Sequence, residues 1–495
     1  DMKGENYHVV AVVGDGALTG GLCWEALNHI GHTKQNIIIV INDNEMSIGK
    51  NVGAFSKYLS KIRTNPRYYL SRDEIKQKIE KIPAVGKDIA RVISKIKSDM
   101  KNLITPVLFE DLGLTYLGPL DGHNIMLLTD FFKRAKKMKG PIVIHVKTVK
   151  GKGYKYAQNK PDMFHGVPPF NVENGDFDKK LDYSNVFGNE LIKIAQSEPR
   201  VCAITPAMKE GSGLTKFAAK FPERFFDVGI AEAHAVTMAG GLARAGMKPV
   251  VAIYSTFLQR AFDQIIHDVC LQELPVVFAI DRAGVVGEDG PTHHGVFDLA
   301  YLRMIPGLTI MVPKDENELR QMLMLALKMD KPVAIRYPRG QGTGVLATVD
   351  PFGPGEAEVV RPGEQAAILA LGPMVQTAVE AADLLCKAGI NCAVINARFV
   401  KPLDRKTILH WARRVPHLIT VEDHVLTGGF GSAVLELLAE AGLRKVQISR
   451  LGYPDHFIET GTIPELHDLY GLTAEGIFRT VTNRPLTLAG GEKRK

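Results

Sequence analysis

The sequence predicts an α/β protein of three domains, each with a mostly parallel sheet flanked by helices, and three observations predict it. At 495 residues the chain exceeds what one hydrophobic core supports, and roughly 150 residues per domain divides it into about three. Apolar blocks of strand length alternate with blocks of helical period along the whole chain, the pattern of repeated βαβ units. Hydrophobic residues at 45% and charged residues at 23% give an ordinary globular balance, which excludes a disordered chain. The longest apolar runs, such as 37–41, fall far short of the roughly 20 residues that span a bilayer, so no membrane association is expected. A net charge of +7 is small for this length and gives no reason to expect a nucleic-acid partner. Five cysteines without a C-x-x-C pair read as small buried hydrophobes in a reducing compartment.

The first domain is expected over residues 1–177. Val9 to Val13 reads as a buried strand, Cys23, Ala26, Leu27 and Ile30 share one helix face, and Asn36 to Ile41 is the next strand. Residues 51–103 turn basic and strand-poor and read as a helical insertion. Strand character returns at Pro141 to Lys147, and 150–177, rich in Gly, Pro and Lys, reads as a linker. The second domain, 178–345, has strand candidates at Val201–Thr205, Pro249–Ile253, Val276–Ile280, Leu308–Val312 and Val333–Ile335. The third, 346–495, opens on a Gly- and Pro-rich boundary and has strands at Ala366–Leu371, Cys392–Asn396, Leu418–Val421 and Val446–Ile448.

Gly14-Asp15-Gly16 and Asn42-Asp43-Asn44 each fall at the carboxyl end of a predicted strand, and parallel strands open into one crevice there. Twenty-nine positions separate Asp15 from Asn44, enough for a loop, a helix and a strand. A carboxylate and an amide oxygen so placed suit Mg²⁺, with diphosphate oxygens and water completing the octahedron. The bland reading is two strand-end turns. Glu232 follows an apolar run at the start of a helix, where it either favours the helix dipole or shares a proton with a ring nitrogen. Arg282 and Arg339 come directly after strands and, with Arg260, suit a phosphate dianion. The Gly-rich segment 287–295 carries Asp289 and His293, and His293 is suited to proton transfer near neutral pH.

The motifs G-D-G and N-D-N-E-M-S-I resemble the cofactor signature of thiamine-diphosphate enzymes of the transketolase type. The phrases Y-S-T-F-L-Q-R-A-F-D-Q, D-R-A-G-V-V-G-E-D-G-P-T-H, I-R-Y-P-R-G and A-R-F-V-K-P-L-D resemble, more narrowly, the 1-deoxy-D-xylulose-5-phosphate synthases, over essentially the whole chain. That resemblance implies a transketolase-like fold and a transferase that joins pyruvate to D-glyceraldehyde 3-phosphate with loss of CO₂. Its product serves isoprenoid, thiamine and pyridoxal synthesis. It also implies thiamine diphosphate and Mg²⁺ as cofactors, a homodimer, and a cytoplasmic (in plants, plastid) location. Metal ligands would be Asp15, Asn44 and the main chain of Met46. The cofactor would be held by Gly14, Asp15, Gly16, Ala17, Asn44, Met46, Lys152, His165, Ile230, Glu232 and Phe257. Glu232, His293 and Asp289 would be catalytic, and Tyr254, Arg260, Arg282 and Arg339 would bind the acceptor's phosphate.

Two positions depart from the commonest family wording: Ala233 and His294 both stand where Gln is usual, which touches second-layer hydrogen bonding. Family members also carry about a hundred residues before the segment that begins at Asp1, so the chain is expected to need that segment, fused or as a separate N-terminal polypeptide, for solubility and activity. A transketolase transferring two-carbon units and a catalytically incompetent cofactor-binding fragment are the alternative readings.

Overall fold

The computed structural model describes residues 5, 7–47, 49–64, 107–167, 169–176, 182–342 and 350–482. Most of the expected helical insertion at 51–103 lies outside them; residues 53–64 form one helix. The chain divides into two compact units, residues 1–178 with 228–231, and residues 179–227 with 232–495.

The first unit is built on a parallel sheet of β1 (Val9–Gly14), β2 (Ile37–Asp43), β3 (Thr115–Asp121) and β4 (Ile142–Lys147), in the order β1-β2-β4-β3. Parallel neighbours need a crossover, and helix Gly21–Thr33 supplies the one from β1 to β2. The I-I-I-V-I run of β2 is buried because β1 and β4 flank it. β1 corrects an expectation: Val9, Val10 and Val12 are 49%, 46% and 72% exposed, since β1 pairs with β2 alone among the described strands. The sequence reading missed β3, whose T-Y-L-G-P-L-D is interrupted by Gly118 and Pro119 and lacks a continuous apolar run. The expected linker after residue 150 is in part packed: it contains helix Lys155–Asn159, and Tyr154 meets the rings of Tyr156, Phe164 and Phe170 at 5.5–5.7 Å.

In the second unit, β5 (Val201–Thr205), β6 (Phe225–Asp227), β7 (Lys248–Tyr254), β8 (Val277–Ala283), β9 (Thr309–Met311) and β10 (Val333–Pro338) lie parallel in one sheet. Next come β11 (Glu358–Arg361), β12 (Ala366–Ala370) and β13 (Cys392–Asn396). β14 (Phe399–Lys401) then turns back and pairs antiparallel with β9, completing a sheet ordered β14-β9-β10-β8-β7-β5-β6. β15 (His417–Val425) and β16 (Gln447–Tyr453) finish the third sheet, β11-β13-β12-β15-β16.

Helices Tyr183–Ser197 and Glu316–Ala326 cover one face of the middle sheet, where Phe187, Leu191, Leu319 and Leu323 form one cluster with Val250 and Ile335. Asp182 caps the first of these helices by accepting the Asn185 N–H at 2.8 Å. The register aligns Tyr254 with Asp281 and Pro338 with Ala283, so the carboxyl ends of β7, β8 and β10 stand side by side. Cys202, Cys270 and Cys392 are buried and none of the five cysteines forms a disulfide, while Cys386 is exposed, against the expectation of burial, because it lies on the outer face of its helix.

Candidate active site

In the first unit the backbone makes the expected convergence at the ends of β1 and β2. Gly14 is paired with Asn42, and Asp15, the next residue, opens a short 3₁₀ turn through Thr19. Asp15 Oδ2 accepts the Glu45 N–H at 2.9 Å and the Asn51 amide at 2.7 Å. Its Oδ1 is buried and makes no hydrogen bond. Burial, and the neighbouring Asp43, push the Asp15 carboxyl well above the usual carboxylate range. Burial would raise Asp43 too, but His145 (Nε2 to Oδ2, 2.9 Å) and Arg63 (3.3 Å) hold it below that range. A buried carboxylate oxygen without a hydrogen bond fits a divalent cation, whose charge would relieve the cost of ionising Asp15. Asn44 Oδ1 accepts the Met46 N–H at 3.0 Å, which sets the turn carrying the third expected ligand. Among the described residues no three His, Cys, Asp or Glu side chains could hold a metal alone, so the fit depends on diphosphate oxygens as further ligands.

Gly16 is needed here: a Cβ would come within 2.8 Å of Ser47 Cβ. Ala17 is in the same turn. Of the two lysines in K-G-K, the expected Lys152 is exposed, and Lys150 is the one that turns inward. Its Nζ donates to Ser47 O at 2.7 Å and lies 2.7 Å from His165 Nδ1, and burial lowers its pKa. Thr19, also unforeseen, accepts the Ile230 N–H at 2.8 Å on its hydroxyl, which donates to Gly16 O. Nothing in the spacing of T-G-G signals a partner 211 residues away.

In the second unit Glu232 is buried at the start of helix Glu232–Arg244. Arg260 meets it, Nη1 lying 3.2 Å from Oε1 and 3.4 Å from Oε2. Arg260 thus meets Glu232 and not Asp289, where Arg282 and Arg339 come together. Arg260 belongs to the 3₁₀ turn Gln259–Ala261, which packs on the Glu232 helix rather than ending a strand.

The other expected residues do assemble. Arg282 and Arg339 both reach Asp289 Oδ2, at 3.1 and 2.9 Å, and Arg339 also donates to Val286 O at 2.7 Å. The Arg282 guanidinium lies 4.1 Å from the centre of the Tyr254 ring, a cation–π contact. Tyr254 stacks on Phe257 at 5.7 Å, and the His293 ring meets the edge of Phe257 at 5.6 Å. Burial pushes the Tyr254 phenol up to about 12, keeping it a proton donor. His293 Nδ1 is 2.8 Å from the Thr292 hydroxyl. His294 is buried and satisfied without the usual amide: Nδ1 accepts the Val286 N–H at 3.1 Å, and Nε2 is 3.0 Å from Glu459 O.

The N-terminal model of 1-deoxy-D-xylulose-5-phosphate synthase matches residues 1–148. The chain is 52% identical over 502 residues to the 1-deoxy-D-xylulose-5-phosphate synthase of Desulforudis audaxviator (strain MP104C), covering 100% of this chain and 78% of that one. The chain belongs to the 1-deoxy-D-xylulose-5-phosphate synthase family. The synthase of Pelotomaculum thermopropionicum is 54% identical over 98% of this chain and 77% of its own. The transketolase pyrimidine-binding and C-terminal models match residues 179–343 and 355–477. Among solved structures, a split-gene transketolase described as an inactive beta4 tetramer is similar with a TM-score of 0.57 and 31% identity, over 61% of this chain and 98% of that one. Transketolase from Campylobacter jejuni shares the fold, with a TM-score of 0.54 at 18% identity over 97% of this chain and 78% of its own. The chain therefore has a transketolase-like fold, as the sequence predicts.

Proposed function

We propose that the chain condenses pyruvate with D-glyceraldehyde 3-phosphate, releasing CO₂ and giving 1-deoxy-D-xylulose 5-phosphate, with thiamine diphosphate and Mg²⁺ as cofactors. The observation that carries the reading is the convergence of Arg282 and Arg339 on a single anionic oxygen, beside Tyr254, Phe257 and His293. Two guanidinium groups from adjacent strand ends form a cradle for a dianion, and in this state the Asp289 carboxylate fills it.

Thiamine diphosphate, when bound, supplies the nucleophilic carbon and the electron sink that decarboxylation of a 2-oxoacid requires. Asp15, Asn44 and the Met46 main chain would hold its metal, and the side-chain-free Gly14 and Gly16 would admit its diphosphate. Glu232 would exchange a proton with the cofactor's aminopyrimidine at a carboxylate oxygen, with Arg260 fixing its rotamer. Phe257 and Ile230 would offer apolar contact. Arg282, Arg339 and Tyr254 would bind the acceptor phosphate as Asp289 yields its place, and the His293 imidazole would hold or move a proton at the acceptor's carbonyl oxygen.

The test is CO₂ release from 1-labelled pyruvate by the purified protein, dependent on D-glyceraldehyde 3-phosphate and accompanied by a phosphorylated deoxyketose. Two-carbon transfer between sugar phosphates without CO₂ would replace this reading with the transketolase one.

A further inference from the structure

The segment Gly284–Gly295 carries Asp289 and His293, and both of its ends are governed from one residue beyond the second sheet. The stem is closed by reciprocal backbone hydrogen bonds, Gly284 N–H to Gly295 O and Gly295 N–H to Gly284 O, each at 2.8 Å. Asp423, near the carboxyl end of β15, takes the first end: its Oδ1 accepts the Val285 N–H at 3.2 Å and the Tyr453 hydroxyl at 2.7 Å. Its Oδ2 fills the space where a side chain at 284 would project, 1.8 Å from a Cβ built there, and Gly284 has φ +81. The other end is held through Arg336, whose Nη2 donates to Gly295 O at 3.1 Å and to Asp423 O at 2.8 Å. Arg336 is itself fixed by the Asp298 carboxylate, 2.8–2.9 Å from its Nε. No step assigned above uses Asp423.

We propose that Asp423 is a positioning residue for acceptor capture: by anchoring the Val285 end of the 284–295 loop with its carboxylate it sets where Asp289 meets Arg282 and Arg339. The third sheet, which contributes no group to the phosphate cradle, thereby sets how well a phosphorylated acceptor is held. A carboxylate spent on packing two domains together would need neither a loop N–H nor a glycine opposite it. Asp423 has both, and the Tyr453 hydroxyl fixes its orientation. Without its side chain the stem keeps its glycine pair and the Arg336 bond to the Asp423 main-chain carbonyl but loses the fixed point at Val285, and the loop samples placements in which Asp289 and His293 are misaligned.

This inference rests on reading Arg282 and Arg339 as phosphate ligands, and its test is built to fail separately. Asp423→Ala and Asp423→Asn in the full-length protein are compared for KM and kcat with pyruvate, D-glyceraldehyde 3-phosphate and plain D-glyceraldehyde. Asp423→Ala is expected to raise KM for the phosphorylated aldehyde at least about tenfold, with KM for pyruvate and for D-glyceraldehyde within about twofold of the parent. Asp423→Asn, whose amide oxygen still accepts the Val285 N–H, recovers most of that loss. Tyr453→Phe shifts the same constant less, and adds nothing in the Asp423→Ala background. Amide hydrogen exchange needs no turnover: the 284–295 peptide exchanges faster in Asp423→Ala and is restored in Asp423→Asn, while β12 and β15 peptides are unchanged. Equal rises in KM for all three substrates, or loop exchange identical to the parent, would overturn the proposal. If the parent does not favour the phosphorylated aldehyde, the functional reading fails, and the exchange comparison alone decides whether Asp423 holds the loop.

Discussion

Asp281, within β8, is fully buried, its Oδ2 accepting the Ser184 hydroxyl at 2.6 Å and its Oδ1 accepting the N–H of Arg282, also at 2.6 Å. That second bond helps hold Arg282 at φ +56, a left-handed conformation that aims its side chain at the cradle. Burial pushes the Asp281 carboxyl from 3.8 up to about 7, although Ser184 and Arg282 pull the other way. Between pH 4 and 7 the folded chain therefore keeps a proton that the unfolded chain has released. The stability this group contributes falls as pH rises, by at most about 1.4 kcal/mol per pH unit, and levels off above about 7. Asp281→Asn does not titrate, so its urea midpoint should gain on that of the parent through this window and run parallel above it; parallel curves throughout would mean Asp281 is ionised in the fold. Two further substitutions separate chemistry from support. Glu232→Gln should lower turnover at least about a hundredfold with little change in melting temperature, whereas a matching loss of stability would make Glu232 a helix-start residue. Arg339→Ala should weaken use of D-glyceraldehyde 3-phosphate far more than use of unphosphorylated aldehydes, and equal losses would make it structural. The placement of Asp15, Asn44, Arg282 and Arg339 at or beside the carboxyl ends of strands was legible in the sequence, because there local pattern and chemistry coincide. Lys150, Thr19, Asp423 and the pairing of Arg260 with Glu232 were not, since these contacts are fixed by packing at long sequence separation.

The close approach of elements puts glycine where no alternation of apolar residues reveals it. Helix Tyr183–Ser197 passes so near the turn at Gly213 that a Cβ on Gly188 would lie 2.0 Å from Gly213 O. Gly188→Ala must push the helix off the turn, and a drop of several degrees in melting temperature is expected, the usual scale of about 1–3 kcal/mol for overpacking. Gly241, inside helix Glu232–Arg244 with nothing within 4 Å of its built Cβ, is the control: Gly241→Ala should stabilise by about 0.5–1 kcal/mol. If both substitutions gave the same melting shift, steric contact would not be the cause. The strands show the same limit of sequence reading. β5, β8 and β13 were found at or near their true bounds because runs of Val, Ile, Ala and Cys buried on both faces announce a central parallel strand. β11 and β14 were missed because E-V-V-R and F-V-K are short, flanked by polar residues, and ordered by antiparallel pairing with strands found elsewhere.

At the scale of the molecule, β14 ties the second and third sheets into one body. Phe399 is fully buried opposite Met311 of β9, and its ring meets the edge of Phe352 at 6.2 Å. Arg398 just before it binds Glu318 at 2.7 Å, so the crossing strand is anchored by both a buried ring and a buried ion pair. Phe399→Ala should cost about 3–5 kcal/mol and, in calorimetry, lower the melting of residues 179–495 as one transition. Two transitions moving apart would show that the strand does not couple them. The order of domains was legible from length and alternation; this exchange of a strand was not, because three residues carry too little pattern to declare which sheet they join. The exchange also bears on where the reading frame of such a protein tolerates division. A stop codon near position 345 would leave β9 without its antiparallel neighbour and leave the downstream product with an orphaned strand, an invitation to aggregation. A division near 178, by contrast, cuts no described sheet and leaves every described strand with its partners.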